Sequence, residues 1–101
     1  MSNLFWVDTD AAGLTSIRFR ELTLKKLGQI WNVVPKLRRQ TLVKKGDQIF
    51  TLEITTGLCS IYSPISGKVV DFAERIFNET PEKINPSTVL LQLTGVNLNE
   101  M

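Results

Sequence analysis

The sequence predicts a mainly β fold, a flattened barrel or sandwich of short strands with one or two short helices. Three observations carry this reading. Strand-like runs recur at close spacing between Gly and Pro breaks. Apolar and polar residues alternate within several of these runs, as in strands with one buried face. Two stretches also resemble each other: Gly28-Gln29-Ile30-Trp31-Asn32-Val33 and Gly67-Lys68-Val69-Val70-Asp71-Phe72 both open on glycine with apolar third and fourth residues. Each copy is followed by a loop, a break (Lys45-Gly46-Asp47 or Asn85-Pro86-Ser87) and a strand (Ile49 to Leu52 or Val89 to Leu93). Two halves that each expose an apolar face bury it against one another. The expected architecture is therefore a sandwich of quasi-two-fold halves, joined at Thr55-Thr56-Gly57.

Residues 4–7 are apolar and Asp8 to Gly13 is rich in turn formers, so with the alternating run Leu14 to Arg20 they make an opening hairpin. Glu21 to Leu27, with leucines at 22, 24 and 27 and Gly28 after it, predicts a short helix. Gln29 to Val34 is a strand stopped by Pro35, and Lys36 to Thr41 is a basic connection. Gly46-Asp47 turns into the strand Gln48 to Ile54, and Thr55-Thr56-Gly57 is the tip of a hairpin returning through Leu58 to Tyr62. Ser63 to Gly67 turns and Lys68 to Phe72 is another strand. Thr80-Pro81 fits an N-cap and N1 proline for a helical turn over 81–84, and Thr88 to Leu93 is the last strand. Residues 95–101 have little to bury and are expected to be a flexible tail.

With 101 residues, 43% apolar and 22% charged, the chain has globular composition and the length of one domain, 1–101. It contains no histidine and one cysteine, Cys59. Ser-His-Asp and Cys-His catalysis, zinc sites of His or paired Cys, and an internal disulfide are thereby excluded. No phosphate-binding loop or activated nucleophile is evident, so no catalytic residue and no metal site is expected, and the chain is not expected to be an enzyme. The N-terminal residues lack a basic segment followed by a long apolar core, and no apolar run approaches the ~20 residues of a membrane span. A cytoplasmic protein without a membrane partner is the expectation.

The net charge of +2 conceals an asymmetry. Residues 18–45 hold nine of the twelve basic residues against the single acid Glu21, a local charge of +8, whereas residues 46–101 carry three bases and seven acids. Lys36, Arg38, Arg39, Lys44 and Lys45 form a candidate basic docking surface for an acidic protein partner. A solvated basic face is the simpler alternative. Nucleic acid is not an expected partner, because aromatic residues are sparse among these bases.

Several motifs together resemble a lipoyl/biotinyl carrier domain, a flattened β barrel with a barrel-sandwich-hybrid fold. They are Val43-Lys44-Lys45-Gly46-Asp47, Glu53 before a tight turn, and Ser63-Pro64-Ile65-Ser66-Gly67-Lys68-Val69. Leu27-Gly28-Gln29-Ile30, the Trp6-Val7 opening and Asn78 to Asn85 narrow the resemblance to the glycine cleavage system H protein, over about Leu4 to Thr94. The resemblance implies a lysine at the hairpin tip joined by an amide to lipoic acid. A gapless match through Glu53 and Tyr62 to Gly67 puts Thr56 at that position. Threonine has no amine and no reach for a swinging arm, and its hydroxyl yields only an ester. Leu4 and Phe5 stand where the family usually has histidine and glutamate, and the sequence stops short of the family's C-terminal helix.

The resemblance and the missing amine together imply an H-protein-like, non-lipoylated interaction module, with Thr56 the unmodifiable equivalent of the attachment point. Glu53, Thr55, Thr56 and Gly57 are its candidate docking tip, and no cofactor is expected on the chain although the family's is lipoic acid. By resemblance, the partners are glycine cleavage or lipoate-transfer enzymes. The alternative is a working lipoyl carrier that shuttles an aminomethyl group, its lysine substituted or placed elsewhere. Cys59 as a reactive thiol, and Asp8 with Asp10 or Glu79 with Glu82 as acid–base pairs, are weaker candidates than a half-buried strand cysteine and solvated turn acids. Trp6, Trp31, Phe50 and Phe72 are read as core or edge packing.

Overall fold

A computed structural model of the chain describes residues 4–97 and 99. It contains β1 (Phe5–Thr9), β2 (Thr15–Phe19), α1 (Glu21–Leu27), β3 (Ile30–Pro35), β4 (Leu42–Val43), β5 (Gln48–Ile54), β6 (Gly57–Tyr62), β7 (Gly67–Phe72), α2 (Glu74–Glu79), a 3-10 turn (Pro81–Lys83) and β8 (Leu91–Thr94). The strands form two sheets, one ordered β1-β2-β8-β7-β4 and one ordered β3-β5-β6, all neighbours antiparallel. The fold is a mainly β sandwich rather than a closed barrel.

Alternation decides what each strand buries. In β2, Thr15, Ile17 and Phe19 turn inward and are almost wholly buried, while Ser16 and Arg18 between them stay half-exposed. The Thr15 hydroxyl avoids an orphaned polar group by meeting the Thr9 hydroxyl at 2.8 Å. The Asp10 carboxylate closes the β1–β2 turn by accepting from the backbone N–H groups of Ala12 and Leu14. Phe5 stacks on Phe19 with ring centroids 5.5 Å apart. Ile17, Ile49, Phe50, Leu52, Ile61, Val69, Leu91 and Leu93 continue the core between the two sheets.

The internal repeat is real in three dimensions. β3 pairs with β5 in one sheet as β7 pairs with β8 in the other. Ile30↔Ile54, Asn32↔Glu53 and Val33↔Leu52 correspond to Val69↔Leu93, Asp71↔Gln92 and Phe72↔Leu91, at one constant interval along the chain. Both pairs slip register at the same place, between Ile30 and Asn32 and between Val69 and Asp71. Such a bulge adds a residue to one strand, so Ile30 and Val33 both face the core although three residues apart. Trp31 and Asn32, consecutive, both stay outside.

Several expectations need correction. α2 was not foreseen: its N-cap is Ala73, which makes no side-chain cap, and one side chain, Phe77, is fully buried. Tertiary contact holds it, since Phe77 meets Phe50 edge-on at 5.0 Å and lies 6.4 Å from Phe72. Thr80 precedes the 3-10 turn, but its side chain makes no capping bond. The last strand begins at Leu91 rather than Thr88, because Leu90 and Leu91 are both buried and interrupt the alternation. Leu22 of α1 is exposed, whereas Leu24 and Leu27 pack against the core and the Thr23 hydroxyl donates to the Leu4 carbonyl at 2.8 Å. Trp6 and Trp31 lie on edge strands and are exposed, while Phe50 is core and Phe72 is half-buried. Of the segment 95–101, Val96 is half-buried against the core, and residues 98, 100 and 101 lie outside the described residues.

Candidate functional site

The β5–β6 hairpin closes through two residues, Thr55 and Thr56, between the paired Ile54 and Gly57. Neither threonine has positive φ, so the turn is not of the mirror-image kind that best matches strand twist. The mismatch is taken up at Gly57, whose φ is +127°. Thr55, Thr56 and Gly57 are all exposed, and a Cβ added to Gly57 would meet nothing within 4 Å. The tip is therefore open to solvent on its Gly57 side.

Glu53 is exposed on the outer face of the three-stranded sheet, in a cross-strand row with Asn32 and Leu58. The sequence placed Glu53, Thr55, Thr56 and Gly57 together, and the hairpin brings them together. Three neighbours were not anticipated. Trp31 is turned outward by the bulge and Leu58 follows the tip on the exposed face of β6, with relative exposures of 60% and 78%, whereas the equally outward Tyr62 lies at the far end of β6 opposite Gln48. The odd spacing of Ile30 and Val33 was the available signal for Trp31. The end of α1 is the other neighbour: a Cβ on Gly28 would lie 4.0 Å from the Thr55 hydroxyl oxygen.

The basic residues gather elsewhere. Lys36, Arg38 and Asp47 line an open depression of about 430 Å³ with Leu37, Thr41 and Leu42. Lys44 lines a more apolar depression on the β4–β7 side. Arg39 is occupied: it binds Asp71 at 2.9 Å and Glu74 at 3.1 Å, and its guanidinium carbon lies 4.4 Å from the centroid of the Phe72 ring. Hydrogen bonds to Asp71 and then Glu74 raise its pKa further above the ordinary arginine value. It acts as a clip from the basic loop to β7 and α2. Because β5 is seven residues long, the tip and this loop are about 20 Å apart at its opposite ends. They form two separate surfaces.

The turn motifs near that loop are structural. Gly46 N–H donates to the Ser63 carbonyl and Ser63 N–H to the Asp47 carbonyl, both at 2.8 Å, and Lys45 N–H donates to the Ser66 hydroxyl at 2.9 Å. The buried Ser63 hydroxyl bonds the Ile65 carbonyl at 2.7 Å. Asp8 pairs with Arg18 at 2.8 Å, Asp10 closes its own turn, and Glu79 pairs with Arg75 at 2.7 Å. Neither proposed acid pair converges on a site. Cys59 is half-buried in β6. Among the described residues, no group of three or more His, Cys, Asp or Glu side chains is placed to hold a metal. No helix among them is long and apolar enough to cross a membrane.

With this geometry in hand, comparison with known proteins is specific. The family model of the glycine cleavage H-protein matches residues 1–97. The glycine cleavage system H protein of Ralstonia nicotianae is 35% identical over 81 residues, which cover 79% of this chain and 61% of that protein. The probable glycine cleavage system H protein of Pyrococcus abyssi is 30% identical over 81 residues, covering 79% and 58%. The chain thus spans less than two thirds of the length of these curated relatives. A crystal structure of a glycine cleavage system H protein from Mycobacterium marinum superimposes with a TM-score of 0.75 at 18% identity, over 93% of this chain and 80% of that one. That likeness establishes the fold.

Proposed function

The chain belongs to the glycine cleavage H-protein family, and we propose that it is a non-lipoylated member. In this reading it docks through its hairpin tip to enzymes of glycine cleavage or of lipoyl transfer. Proteins of the family are carriers rather than catalysts: the lipoyl group they hold covalently brings the chemistry, and the protein presents it.

The observation that carries the proposal is the chemistry of the tip. An amide to lipoic acid requires a primary amine, and the two-residue loop offers two threonines. Those residues do not fit the group. Lys44 and Lys45 belong to the turn beyond the far end of β5, and Lys68 lies in β7. Lys25 and Lys26 are nearer, but they sit on the last helical turn of α1, and Lys25 already faces Glu21 at 3.7 Å. A lipoyl-transfer enzyme that reads an amine on a projecting hairpin finds a hairpin of the right form without the amine. The module would then occupy the partner's docking surface without delivering a group.

Two measurements test this. Intact mass after coexpression with a lipoyl ligase is expected to equal that of the bare chain; a lipoyl increment overturns the proposal and favours the working carrier. In a glycine cleavage assay with a lipoylated H protein, added chain is expected to inhibit competitively. Rates unchanged at saturating excess would refute the docking.

A further inference from the structure

Four strands lie at sheet edges, and three of them are blocked against further pairing. β1 carries Asp8, engaged by Arg18, and the carbonyl of Phe5 accepts from the Arg20 side chain. β3 is bulged at Trp31, ends on Pro35, and is packed by α2 and the 3-10 turn. β4 has two residues. β6 has none of these protections: Gly57-Leu58-Cys59-Ser60-Ile61-Tyr62 contains no charge and no proline, and among the described elements its extensive packing is on β5.

Its ladder tells which groups are free. In an antiparallel pair closed by a two-residue turn, hydrogen-bonded residue pairs alternate with non-bonded ones. Counting from Ile54↔Gly57, the residues bonded to β5 are Gly57, Cys59 and Ile61. Leu58, Ser60 and Tyr62 therefore turn their N–H and C=O groups toward the open edge. The side chains of the same three residues are exposed on the outer face.

We propose that a second copy of this chain occupies this edge, pairing β6 antiparallel to β6 about a two-fold axis at Ser60. Of the symmetric registers, this one alone pairs all three free residues: Ser60 with its symmetry mate, and Leu58 with Tyr62 of the other copy in both directions. Each such pair exchanges N–H···O=C bonds both ways, so no backbone group of the edge is left over. Leu58 and Tyr62, exposed by 78% and 54% in the single chain, become cross-strand neighbours. The edge suits a second copy because residues 57–62 carry no charge, so no like charges face each other across the seam, and the antiparallel sense puts the two basic turns at its opposite ends. The interface is isologous and joins the two three-stranded sheets into one. Since the strands run in opposite directions, the two Thr55–Thr56 tips lie at opposite ends of the seam. This inference does not depend on the lipoylation state.

Sedimentation of the full chain over a range of concentrations tests it. The mass is expected to rise from 11.4 kDa toward twice that value. Ser60→Lys places two like charges opposite each other on the axis and is expected to weaken association roughly tenfold or more. Asn32→Lys, the same added charge on the far strand, is expected to leave it unchanged. Hydrogen exchange supplies a readout free of mutation: the Ser60 amide is expected to slow as concentration rises. A chain that stays monomeric at every concentration, as it would if only a different protein took the edge, overturns the proposal. So does equal dissociation by the two lysine variants, or a Ser60 amide indifferent to concentration.

Discussion

Glu53 and Leu58 stand opposite each other across β5 and β6, one residue pair inside the Ile54–Gly57 closure of the tip. A carboxylate flanks the two threonines on one strand and an apolar side chain on the other, both exposed. A partner that grips the hairpin meets this asymmetry directly behind the Thr55–Thr56 apex.

Thr56→Lys is therefore expected to convert the chain into a lipoyl acceptor when coexpressed with a lipoyl ligase, detected by intact mass. The turn accepts lysine because the φ at this position is not positive. Adding Glu53→Ala is expected to lower the modification rate by roughly tenfold, the worth of one hydrogen bond to a charged group. An unmodified Thr56→Lys protein would show that the flanks have lost recognition as well.

Two glycines are predicted to resist alanine for different reasons, separable by denaturant unfolding. At Gly57 there is space but φ is +127°, so alanine costs about 1–2 kcal/mol of backbone strain. At Gly67 the added Cβ would lie 3.0 Å from the Thr94 carbonyl oxygen and 3.0 Å from Val96 Cγ2, a steric cost of about 1–3 kcal/mol. Val96→Ala is expected to recover part of the Gly67→Ala loss and none of the Gly57→Ala loss.

Phe77→Ala should be the most damaging change in α2. The ring is 1% exposed and packs edge-on against Phe50, so its removal costs about 3–5 kcal/mol. Because the helix has no side-chain cap, loss of helical circular dichroism from residues 74–79 is expected to accompany it.

The basic loop and the tip are predicted to act independently. Lys36→Glu with Arg38→Glu is expected to weaken binding to an acidic partner, and the weakening to shrink as salt rises. Since about 20 Å separates the loop from Thr56, its effect is expected to add to that of tip substitutions, as a double-mutant cycle would show. Arg39→Ala is expected instead to lower the thermal midpoint modestly, because its three contacts with Asp71, Glu74 and Phe72 are structural. Arg39→Lys should rescue it only in part, since an ammonium lacks the planar fork.

Much of this was legible beforehand because it is local. The Gly28 and Gly67 repeats announced equivalent strands, and the Thr55–Gly57 join between them became the hairpin tip. α2 was not legible, since residues 74–79 hold too little apolar periodicity and no cap, and their helix exists because Phe50 and Phe72 await Phe77. The basic cluster was half legible: its charge was plain, but that Arg39 is consumed by β7 and α2 required knowing what folds beside it.

The sequence by itself determined the chemistry available: no histidine, one cysteine, and no amine within Thr55-Thr56-Gly57. Those are properties of residue type and short spacing, which no packing can alter. Only the tertiary structure decided which sheet each repeat joins, that a bulge turns Trp31 outward, and that β6 is left as the unprotected edge. Strand order and register depend on contacts between residues far apart in the chain, and a one-residue bulge exchanges the faces of everything beyond it.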